Sequence, residues 1–233
     1  MVHFLAEEPQ EEPMAYRETD ATRRAAAARR TGLELAAAEI IATEGFRAAT
    51  VKAVTTRAAS SAGLLYRYFD SRENLLAAVF STLAARELAA VRTAVDAAAP
   101  HGAAAQLVAL VDTFTRRALA ARRTAWALLV EPVDAGIDVE RLEYRRAYAR
   151  LVADVVAAAV ARGELPEQDA ALAGAGVVGL IGEALTGPLS PLEQDPPVQT
   201  TCDGLARLVL GAVGASRPDQ PHHRQLHHRE GVS

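Results

Sequence analysis

Apolar residues recur at spacings of three and four along most of this chain, which is the pattern of amphipathic α-helices. The first such stretch runs from Ala21 to Thr43. Its buried face is predicted to consist of Leu33, Ala36, Ala37, Ile40 and Ile41. Gly45 follows at a position typical of a helix stop. The pattern therefore predicts one long helix, which frays toward its arginine-rich beginning.

Two short helical segments are predicted next, over 50–58 and 61–68. Thr50 and Ser61 begin them, and their hydroxyl oxygens can accept hydrogen bonds from the free N–H groups of a first helical turn. Only Ala59 and Ser60 separate the two segments. The sequence therefore predicts two short helices joined by a tight turn.

A long amphipathic stretch from about Ser71 to Ala98 is predicted to connect two domains. Asp70 and Glu73 are spaced as in a capping box, with Asp as the capping residue. Beyond it, breaks rich in proline and glycine separate five further helical patterns. These cover about 103–121, 124–131, 138–162, 167–187 and 199–213. The chain is therefore predicted to be all-α, with nine helices.

Composition agrees with a folded, helical protein. Half of the 233 residues are apolar and only 5% are aromatic, and the abundance of alanine favours helix over strand. Uninterrupted apolar runs stay below the roughly 18 residues that a membrane span needs, and the acidic start lacks the layout of a signal peptide. We therefore expect a cytoplasmic protein that binds no membrane. Cys202 is the only cysteine, so neither a disulfide framework nor a multi-cysteine metal site is expected.

The sequence contains no recognisable catalytic motif. GxSxG, HExxH, P-loop and glycine-rich nucleotide motifs do not occur in it. Outside the C-terminal tail the only histidines are His3 and His101, so catalysis would depend on carboxylates alone. We expect neither enzymatic activity nor a cofactor or metal.

Charge is distributed unevenly along the chain. Between Thr22 and Arg72 nine basic residues stand against four acidic ones, a net charge of +5 in a chain whose total is −4. This asymmetry is expected when one part of a protein meets a polyanion, although a solvated basic surface explains it equally well. Four arginines early in this window leave two alternatives open, an arm along DNA or a charged helix extension. These are Arg23, Arg24, Arg29 and Arg30.

The segment 50–76 has the residue pattern of a helix-turn-helix. One set of apolar residues is spaced to bury a seam between two crossed helices. This set is Val51, Val54, Ala58 and Leu65. The second helix would then expose serine, glycine, arginine and tyrosine. Small residues at its start permit close approach to the major groove, and the longer side chains can reach phosphates or base edges.

The same segment resembles the DNA-binding domain of the TetR (tetracycline-repressor, AcrR-like) family of bacterial transcriptional regulators. The resemblance covers about residues 30–79. It is carried by Glu44-Gly45-Phe46, Thr50-Val51, Ser61-x-Gly63-x-Leu65-Tyr66-Arg67-Tyr68-Phe69 and Ser71-Arg72-Glu73-x-Leu75-Leu76. It implies a nine-helix architecture in which an N-terminal three-helix helix-turn-helix domain precedes a C-terminal helical ligand-binding and dimerisation domain.

By this resemblance, two groups of side chains would contact double-stranded DNA. Those that contact phosphates and fix the register would be Thr50, Tyr66, Tyr68 and Arg72. Those that face the groove would be Ser61, Ala62, Gly63, Leu64 and Arg67. Lys52 faces outward beside them and is a further candidate contact.

The sequence departs from the family's pattern at two places that matter for DNA binding. Its turn reads Ala58-Ala59-Ser60 where the family usually has Ala-Gly-Val, so an alanine occupies a position that glycine fills more easily. Leu64 replaces a threonine, for which we expect apolar contact with a thymine methyl group instead. The turn is therefore expected to be strained or slightly different.

Four parts of the chain are distinguished. Residues 1–20 are expected to be disordered, residues 21–72 to form the helix-turn-helix domain, and residues 73–214 to form the ligand-binding and dimerisation domain. Residues 215–233 are expected to form a disordered, histidine-rich tail, which could bind metal adventitiously but is better explained as a polar terminus.

The body behind the DNA-binding segment also resembles the ligand-binding domains of TetR regulators. Aromatic side chains among so much alanine can line a mostly apolar cavity, and charged groups beside them can orient a ligand. Candidate cavity residues are Phe114, Trp126, Leu129, Glu131, Tyr144, Arg145, Tyr148 and Glu183. Trp126 and Tyr144 are the two strongest candidates, and the ligand would be a small-molecule effector.

Small residues cluster in the helix predicted over 167–187. Glycine in a helix costs up to about 1 kcal/mol relative to alanine, so close packing must offset it. By similarity, this helix and the last one would pair with their copies in a homodimer. The predicted contacts are Ala175, Gly179, Gly182, Leu205 and Leu208. The alternative is that the glycines pack only within one subunit.

Together these patterns predict a sequence-specific DNA-binding transcriptional regulator. It would be a repressor that leaves a palindromic operator when a small molecule binds the C-terminal domain. The alternative is a helical partner-binding or architectural DNA-binding protein without a small-molecule effector, which the atypical turn keeps open.

Overall fold

A computed structural model describes residues 20–192 and 194–215 of the chain. This part is all-helical, with nine α-helices and no strand. The helices are α1 (Asp20–Glu44), α2 (Val51–Arg57), α3 (Ala62–Tyr68), α4 (Arg72–Ala98), α5 (Ala103–Ala120), α6 (Arg122–Leu129), α7 (Ala135–Ala161), α8 (Ala170–Leu189) and α9 (Val198–Ala212). The predicted fold class is confirmed. The tails predicted to be disordered lie outside the described residues, apart from Asp20 and Ala215.

The N-terminal core forms around the predicted face of α1. All five residues of that face are buried. Val54 of α2 and Leu65 of α3 are fully buried beside them, so the predicted seam between the two short helices closes on α1. This core extends beyond residue 72, because Leu128 of α6 and Ile137 of α7 also belong to it. The helix-turn-helix is thus held by residues of the body as well as its own.

α4 links the two halves of the molecule, as its length predicts. Its first half contributes Leu76 and Phe80 to the N-terminal core. Its second half contributes Val91 and Val95 to the core of the body. Because one uninterrupted helix enters both cores, a tilt of α4 would move the N-terminal domain relative to the body.

α7 and α8 approach each other very closely in the body. A Cβ atom at Gly174 of α8 would lie 2.3 Å from the carbonyl oxygen of Ala149 on α7. Real Cβ atoms do not come so near to backbone, so a side chain at this position would force the two helices apart. One glycine of the cluster in α8 is therefore explained by packing within the subunit.

Several predicted helix ends differ from the structure, since α7 begins at Ala135 and α8 at Ala170 where about 138 and 167 were predicted. Ser71 caps α4, since its Oγ accepts a hydrogen bond from the Asn74 N–H at 3.1 Å. The predicted capping box of Asp70 and Glu73 is wrong, because Asp70 lies one residue before the cap and accepts instead from the Asn74 side chain at 3.4 Å. α8 continues through Pro188, where an end at Gly187 was predicted. A proline in the last turn removes one N–H donor, and the helix ends at the next residue.

Two helical segments are long and apolar enough to cross a membrane by length and composition, Arg72–His101 and Ala170–Leu189. Charged residues interrupt both segments, so neither is an uninterrupted apolar run. Of the most apolar window, 33% is buried inside the subunit in the first segment and 22% in the second. α4 packs on α5 and α7, and α8 packs on α7. α8 therefore keeps an apolar face without a partner inside the subunit.

Candidate nucleic-acid interface and ligand cavity

Hydroxyl caps set the starts of both helices of the helix-turn-helix. Thr50 Oγ1 accepts a hydrogen bond from the Ala53 N–H at 3.2 Å, and Ser61 Oγ accepts one from the Leu64 N–H at 3.2 Å. Both capping residues have the extended backbone that a cap requires. Both predicted caps are confirmed.

The turn between α2 and α3 holds an alanine in an unfavourable conformation. Ala59 has φ +46° and is the one non-glycine residue with positive φ in the described part of the chain. The Ser60 N–H donates to the Thr55 carbonyl at 2.8 Å and thereby closes the turn. A left-handed conformation costs a residue with a Cβ about 1–2 kcal/mol. The strain expected from the missing glycine is therefore present.

α3 presents its predicted reading face to solvent. The exposed residues of this face are Ser61, Ala62, Gly63, Tyr66 and Arg67, with Thr50 and Lys52 of α2 beside them. Leu64 and Tyr68 are half-buried. A Cβ at Gly63 would meet nothing nearer than Ser61 Oγ at 4.0 Å. Packing inside the chain therefore does not require this glycine, and its small size suits the close approach of a partner.

The Arg72 side chain, predicted to contact a phosphate, is mostly buried and donates hydrogen bonds within the chain. Its Nε donates to the Ala49 carbonyl at 2.9 Å and its Nη2 donates to the Phe46 carbonyl at 2.8 Å. Its Nη1 lies 3.5 Å from Oδ2 of Asp134, which precedes α7. With only 24% of its side chain exposed, Arg72 ties α4 to the loop that follows α1.

The four N-terminal arginines lie on an exposed helical extension of α1. Arg23 forms an ion pair with Asp20. Arg30 lies 3.0 Å from Glu34, and its guanidinium stands 5.0 Å from the centre of the Phe69 ring. From residue 20 onward, these arginines belong to a helix and not to an irregular arm.

A cavity of about 130 Å³ lies in the body between α4, α5, α6, α7 and α8. Its wall is mainly apolar. Five of the residues predicted to line it do so: Phe114, Leu129, Tyr144, Arg145 and Tyr148. Phe80 and Leu128 belong to this wall and also to the N-terminal core. The cavity therefore adjoins the side chains that hold the helix-turn-helix.

Aromatic rings form two sides of the cavity. Phe114 and Tyr148 meet edge to face, with ring centres 5.5 Å apart. Tyr144 lies edge-on to Phe80 at 6.1 Å, and its hydroxyl donates to the Ser81 carbonyl at 2.9 Å. Burial raises the pKa of Tyr144 above its ordinary value, and the charge of Glu140 acts in the same direction. Both tyrosines thus present an apolar ring to the cavity.

One partly exposed ion pair belongs to the wall. Arg117 Nε lies 2.6 Å from Glu87 Oε2 and Arg117 Nη2 lies 2.9 Å from Glu87 Oε1. This two-bond geometry neutralises both charges. The Glu87 hydrogen bond raises the pKa of Arg117, so the pair stays charged.

The Tyr148 hydroxyl has no hydrogen-bond partner among the described residues, although it is buried. Burial raises the pKa of Tyr148 above its ordinary value. The charge of Glu87 also raises it, and that of Arg117 opposes the change. The hydroxyl therefore remains protonated and can both donate and accept a hydrogen bond.

Two further arginines belong to the wall with different roles. Arg141 donates to the carbonyl oxygens of Leu128 and Glu131, each at 2.8 Å, and holds α6 to α7. Burial lowers the pKa of Arg141, against the charge of Asp138. Arg145 is exposed at the edge of the cavity.

Three charged residues of the wall were not predicted. Arg141, Tyr144, Arg145 and Tyr148 share one face of α7, so helical spacing could have found Arg141. Glu87 and Arg117 stand on different helices, 30 residues apart, and no local pattern relates them.

Three predicted cavity residues lie elsewhere. Trp126 is partly buried against the body core, outside the cavity wall. Glu131 is 6% exposed and lies 3.8 Å from Arg123 at the junction with the N-terminal domain, where a Cβ at Gly45 would touch its carboxylate. Glu183 is exposed on α8. Periodicity could not separate these positions from true wall residues, because helical neighbours face different surroundings.

The residues predicted for a subunit interface divide into two groups. Leu208 is 57% exposed, and Ala175 is exposed as well. Gly179 and Gly182 have no atom within 4 Å of a Cβ built on them, and Gly182 also borders the cavity. Leu205 is only 4% exposed and packs in the body core, so it does not lie on this outer face.

The exposed apolar face of α8 and α9 includes one residue that the sequence did not single out. Leu172 in the first turn of α8 is 71% exposed, the largest exposed fraction among the large apolar residues of the described helices. Its position on α8, with an exposed alanine and glycines after it, adds it to the candidate interface.

Comparison with known proteins finds a family match in the N-terminal part of the chain. Residues 35–79 match the family described as bacterial regulatory proteins, tetR family. This range spans the end of α1, the helix-turn-helix and the beginning of α4, and it agrees with the resemblance found in the sequence. None of the curated proteins matches the sequence.

Solved structures share the fold over most of the chain. The transcriptional regulator FadR from Bacillus subtilis, in complex with stearoyl-CoA, has a TM-score of 0.68 at 18% identity and covers 78% of this chain and 98% of its own. The fatty acid degradation regulator FadR from Bacillus halodurans has a TM-score of 0.65 at 20% identity, and the match covers 78% of this chain and 97% of that protein. A protein from Rhodococcus sp. described as a TetR-family transcriptional regulator has a TM-score of 0.65 at 20% identity. The match covers 80% of this chain and 99% of that protein.

Proposed function

We propose that this chain is a regulator of the tetR type, a cytoplasmic, sequence-specific repressor of transcription. The match of residues 35–79 to the family of bacterial regulatory proteins, tetR family, supports the proposal. The protein acts as a homodimer and leaves a palindromic operator when a small molecule fills the cavity of the body. The observation that carries the proposal is a capped, exposed α3 whose supporting core shares side chains with a cavity wall.

DNA reading is assigned to the exposed face of α3. Gly63 leaves space for close approach to the floor of the major groove. Arg67 can then reach base edges, whereas Lys52 and Tyr66 are placed for phosphates. Arg72 is assigned the role of positioning α4, and not that of a phosphate contact, because its guanidinium already donates to two carbonyl oxygens.

Dimerisation is assigned to the outer face of α8 and α9. Leu172 and Leu208 expose large apolar side chains there, and the open glycines of α8 let a second helix approach closely. Burying such a face removes apolar surface from water and offsets the low helix propensity of glycine. Two subunits would present two α3 helices about 34–36 Å apart, one turn of DNA.

The effector is proposed to act through α6 and α4. Leu128 of α6 and Phe80 of α4 each touch the cavity and the N-terminal core. Arg123 of α6 also donates to the Glu44 carbonyl at the end of α1. A ligand that fits the cavity better in one arrangement of these helices would shift the population toward that arrangement and separate the two α3 helices. The stearoyl-CoA complex of the B. subtilis protein supports a ligand-responsive body.

The test is selection of bound fragments from a random double-stranded DNA library, followed by footprinting. We expect a short protected palindrome. Arg67→Ala should weaken binding to it about 10-fold or more, within the 1–3 kcal/mol that a base contact contributes. Lys52→Ala should reduce the slope of log affinity against log salt by about 0.9. Arg86→Ala, an exposed arginine of α4 away from α3, is the matched control and should change neither.

The alternative of an architectural DNA-binding protein predicts a different footprint. The proposal of a sequence-specific regulator would be overturned by uniform weak protection of every DNA sequence, together with an equal loss of DNA affinity in Arg67→Ala, Lys52→Ala and Arg86→Ala.

A further inference from the structure

The first part of α1 is a helix that lies outside the core. Residues 20–31, the α1 extension, are all exposed except Ala26, which is half-buried. The first buried residue of α1 is Leu33. At 1.5 Å per residue, the extension is about 18 Å long. A helix shorter than about 12–15 residues is marginal in water when nothing packs against it, so a partner that binds the extension would stabilise it.

Gly32 stands where the extension meets the packed part of α1. A Cβ at Gly32 would meet no atom within 4 Å, so packing within the chain does not require glycine there. Glycine inside a helix costs up to about 1 kcal/mol relative to alanine. The helix is therefore weakest at the point where it leaves the core, and the extension can bend or open without disturbing Leu33.

The extension concentrates positive charge. It contains four arginines against one acidic residue, Asp20, which gives it a net charge of +3. Only Arg23 forms an ion pair with Asp20. Arg24 donates to the Asp20 carbonyl oxygen at 3.2 Å, which leaves its charge without a counter-ion. Arg29 has no ion pair among the described residues. Such a surface suits a polyanion.

The extension begins beside the end of the helix assigned to DNA reading. Arg30 stands 5.0 Å from the centre of the ring of Phe69, the residue that follows α3. When the N-terminal residues of α3 meet base edges, its C-terminal end comes out at the edge of the groove, beside the phosphates. Arg23 lies on the same face as Arg30, two helical turns or about 10 Å further along α1. The basic surface is therefore continuous with the exposed face of α3.

We propose that the α1 extension is a second DNA-binding element, which lies along the phosphate backbone of duplex DNA next to the bases read by α3. This inference rests on the proposed function, because it extends the same DNA-binding surface. Contacts with phosphates add affinity and salt dependence, and they add no sequence preference. The extension would therefore strengthen binding to any duplex.

The experiment measures the affinity of the full chain for a short duplex of random sequence as a function of salt concentration. One variant combines Arg23→Ala, Arg24→Ala and Arg29→Ala, and it retains Arg30 because that side chain contacts Phe69. Each phosphate contact contributes about 0.9 to the slope of log affinity against log salt, so the slope should fall by about 2–3 for each subunit bound. Between about 50 and 200 mM salt, the wild type should then lose roughly 10- to 40-fold more affinity than the variant.

The matched control combines Arg86→Ala, Arg92→Ala and Arg150→Ala. These three arginines are exposed on α4 and α7, away from α3. The control loses the same charge as the first variant and should keep the slope of the wild type. Equal slopes in all three proteins would overturn the inference, and so would an equal reduction in both variants, which would assign the effect to net charge alone.

Hydrogen exchange of the backbone amides in the extension gives a second, independent measurement. Without DNA these amides should exchange rapidly, because no tertiary contact protects this part of the helix. Saturating duplex should slow their exchange at least about 10-fold, whereas the exposed start of α7 should be unchanged. Equal exchange with and without DNA would overturn the inference.

The random duplex separates this inference from the proposed function. A palindromic footprint together with equal slopes would overturn the inference and leave the sequence-specific regulator in place. Uniform weak protection of every sequence, with the expected difference in slope, would overturn the regulator and support the extension as a DNA-binding element.

Discussion

Arg72 Nη2 donates to the carbonyl oxygen of Phe46 at 2.8 Å, and this bond joins the first turn of α4 to the loop after α1. Phe46 is itself buried in the N-terminal core. The same guanidinium also satisfies the carbonyl of Ala49, just before α2. One side chain thus fixes the positions from which α2 and α4 begin.

We expect Arg72→Ala to lower the free energy of unfolding by about 2 kcal/mol, because two carbonyl oxygens lose a charged donor. Urea denaturation followed by circular dichroism measures the change. Arg86→Ala on the exposed side of the same helix should stay within about 0.5 kcal/mol of the wild type. Unchanged stability together with weaker DNA binding would instead assign Arg72 to a phosphate.

The turn of the helix-turn-helix offers a stabilising substitution. Ala59 has φ +46°, a region that glycine enters without steric cost. We expect Ala59→Gly to raise the free energy of unfolding by about 0.5–1 kcal/mol, since the relieved strain exceeds the greater entropy of glycine in the unfolded chain. Denaturation midpoints measure the effect.

Ala58→Gly is the control for that substitution. Ala58 precedes the strained residue and has an ordinary φ of −78°. Glycine relieves nothing there and should destabilise by about 0.5–1 kcal/mol. The same sign for both variants would contradict the strain at Ala59.

Glu164 should make the body sensitive to acid. Arg162 donates to its carboxylate, and the Ala103 N–H donates to Oε2 at 2.8 Å, so Glu164 caps α5 from the loop after α7. These bonds hold the pKa of Glu164 below its ordinary value. The stabilisation is therefore present above about pH 4.3, the ordinary pKa of a glutamate, and is lost as pH falls through the lower pKa of the folded state.

Thermal unfolding between pH 3 and pH 7 tests this prediction. Glu164→Gln should lower Tm most at pH 7, and its difference from the wild type should shrink as the pH falls. Glu183→Gln, on the exposed side of α8, should show no such convergence. A constant offset for Glu164→Gln at every pH would rule out the titration as its cause.

A substitution at Gly176 distinguishes whether this face of α8 lies in a subunit interface or is exposed to solvent. It is exposed, and no atom lies within 4 Å of a Cβ built on it. In a helix facing water, Gly176→Ala would stabilise by about 0.5–1 kcal/mol. If α8 packs closely against its copy, the added methyl group should raise the dimer dissociation constant about 10-fold, which corresponds to 1.4 kcal/mol.

Sedimentation velocity over a concentration series measures that constant. Gly136→Ala in the first turn of α7 has equally open surroundings and should leave it unchanged. A Gly176→Ala protein that gains thermal stability with an unaltered dimer would place the interface elsewhere.

The sequence by itself determined the nine helices, the two hydroxyl caps at Thr50 and Ser61, and the strained alanine of the turn. Each depends on residues close together in the chain, through helical periodicity, backbone bonds of a first turn, or the missing glycine. The side chains exposed on α3 were predictable for the same reason.

Only the tertiary structure decided which side chains meet across helices. The Glu87–Arg117 pair joins α4 to α5, and no periodicity relates the two residues. Trp126 was a stronger candidate than Tyr148, yet the fold packs Trp126 against the core and places Tyr148 in the cavity wall. The resemblance assigned Arg72 to a phosphate, and only the fold shows that its guanidinium donates to two carbonyl oxygens. Local patterns specify the helices and their apolar faces, whereas cavities, ion pairs between helices and unsatisfied hydroxyls arise only when those faces pack together.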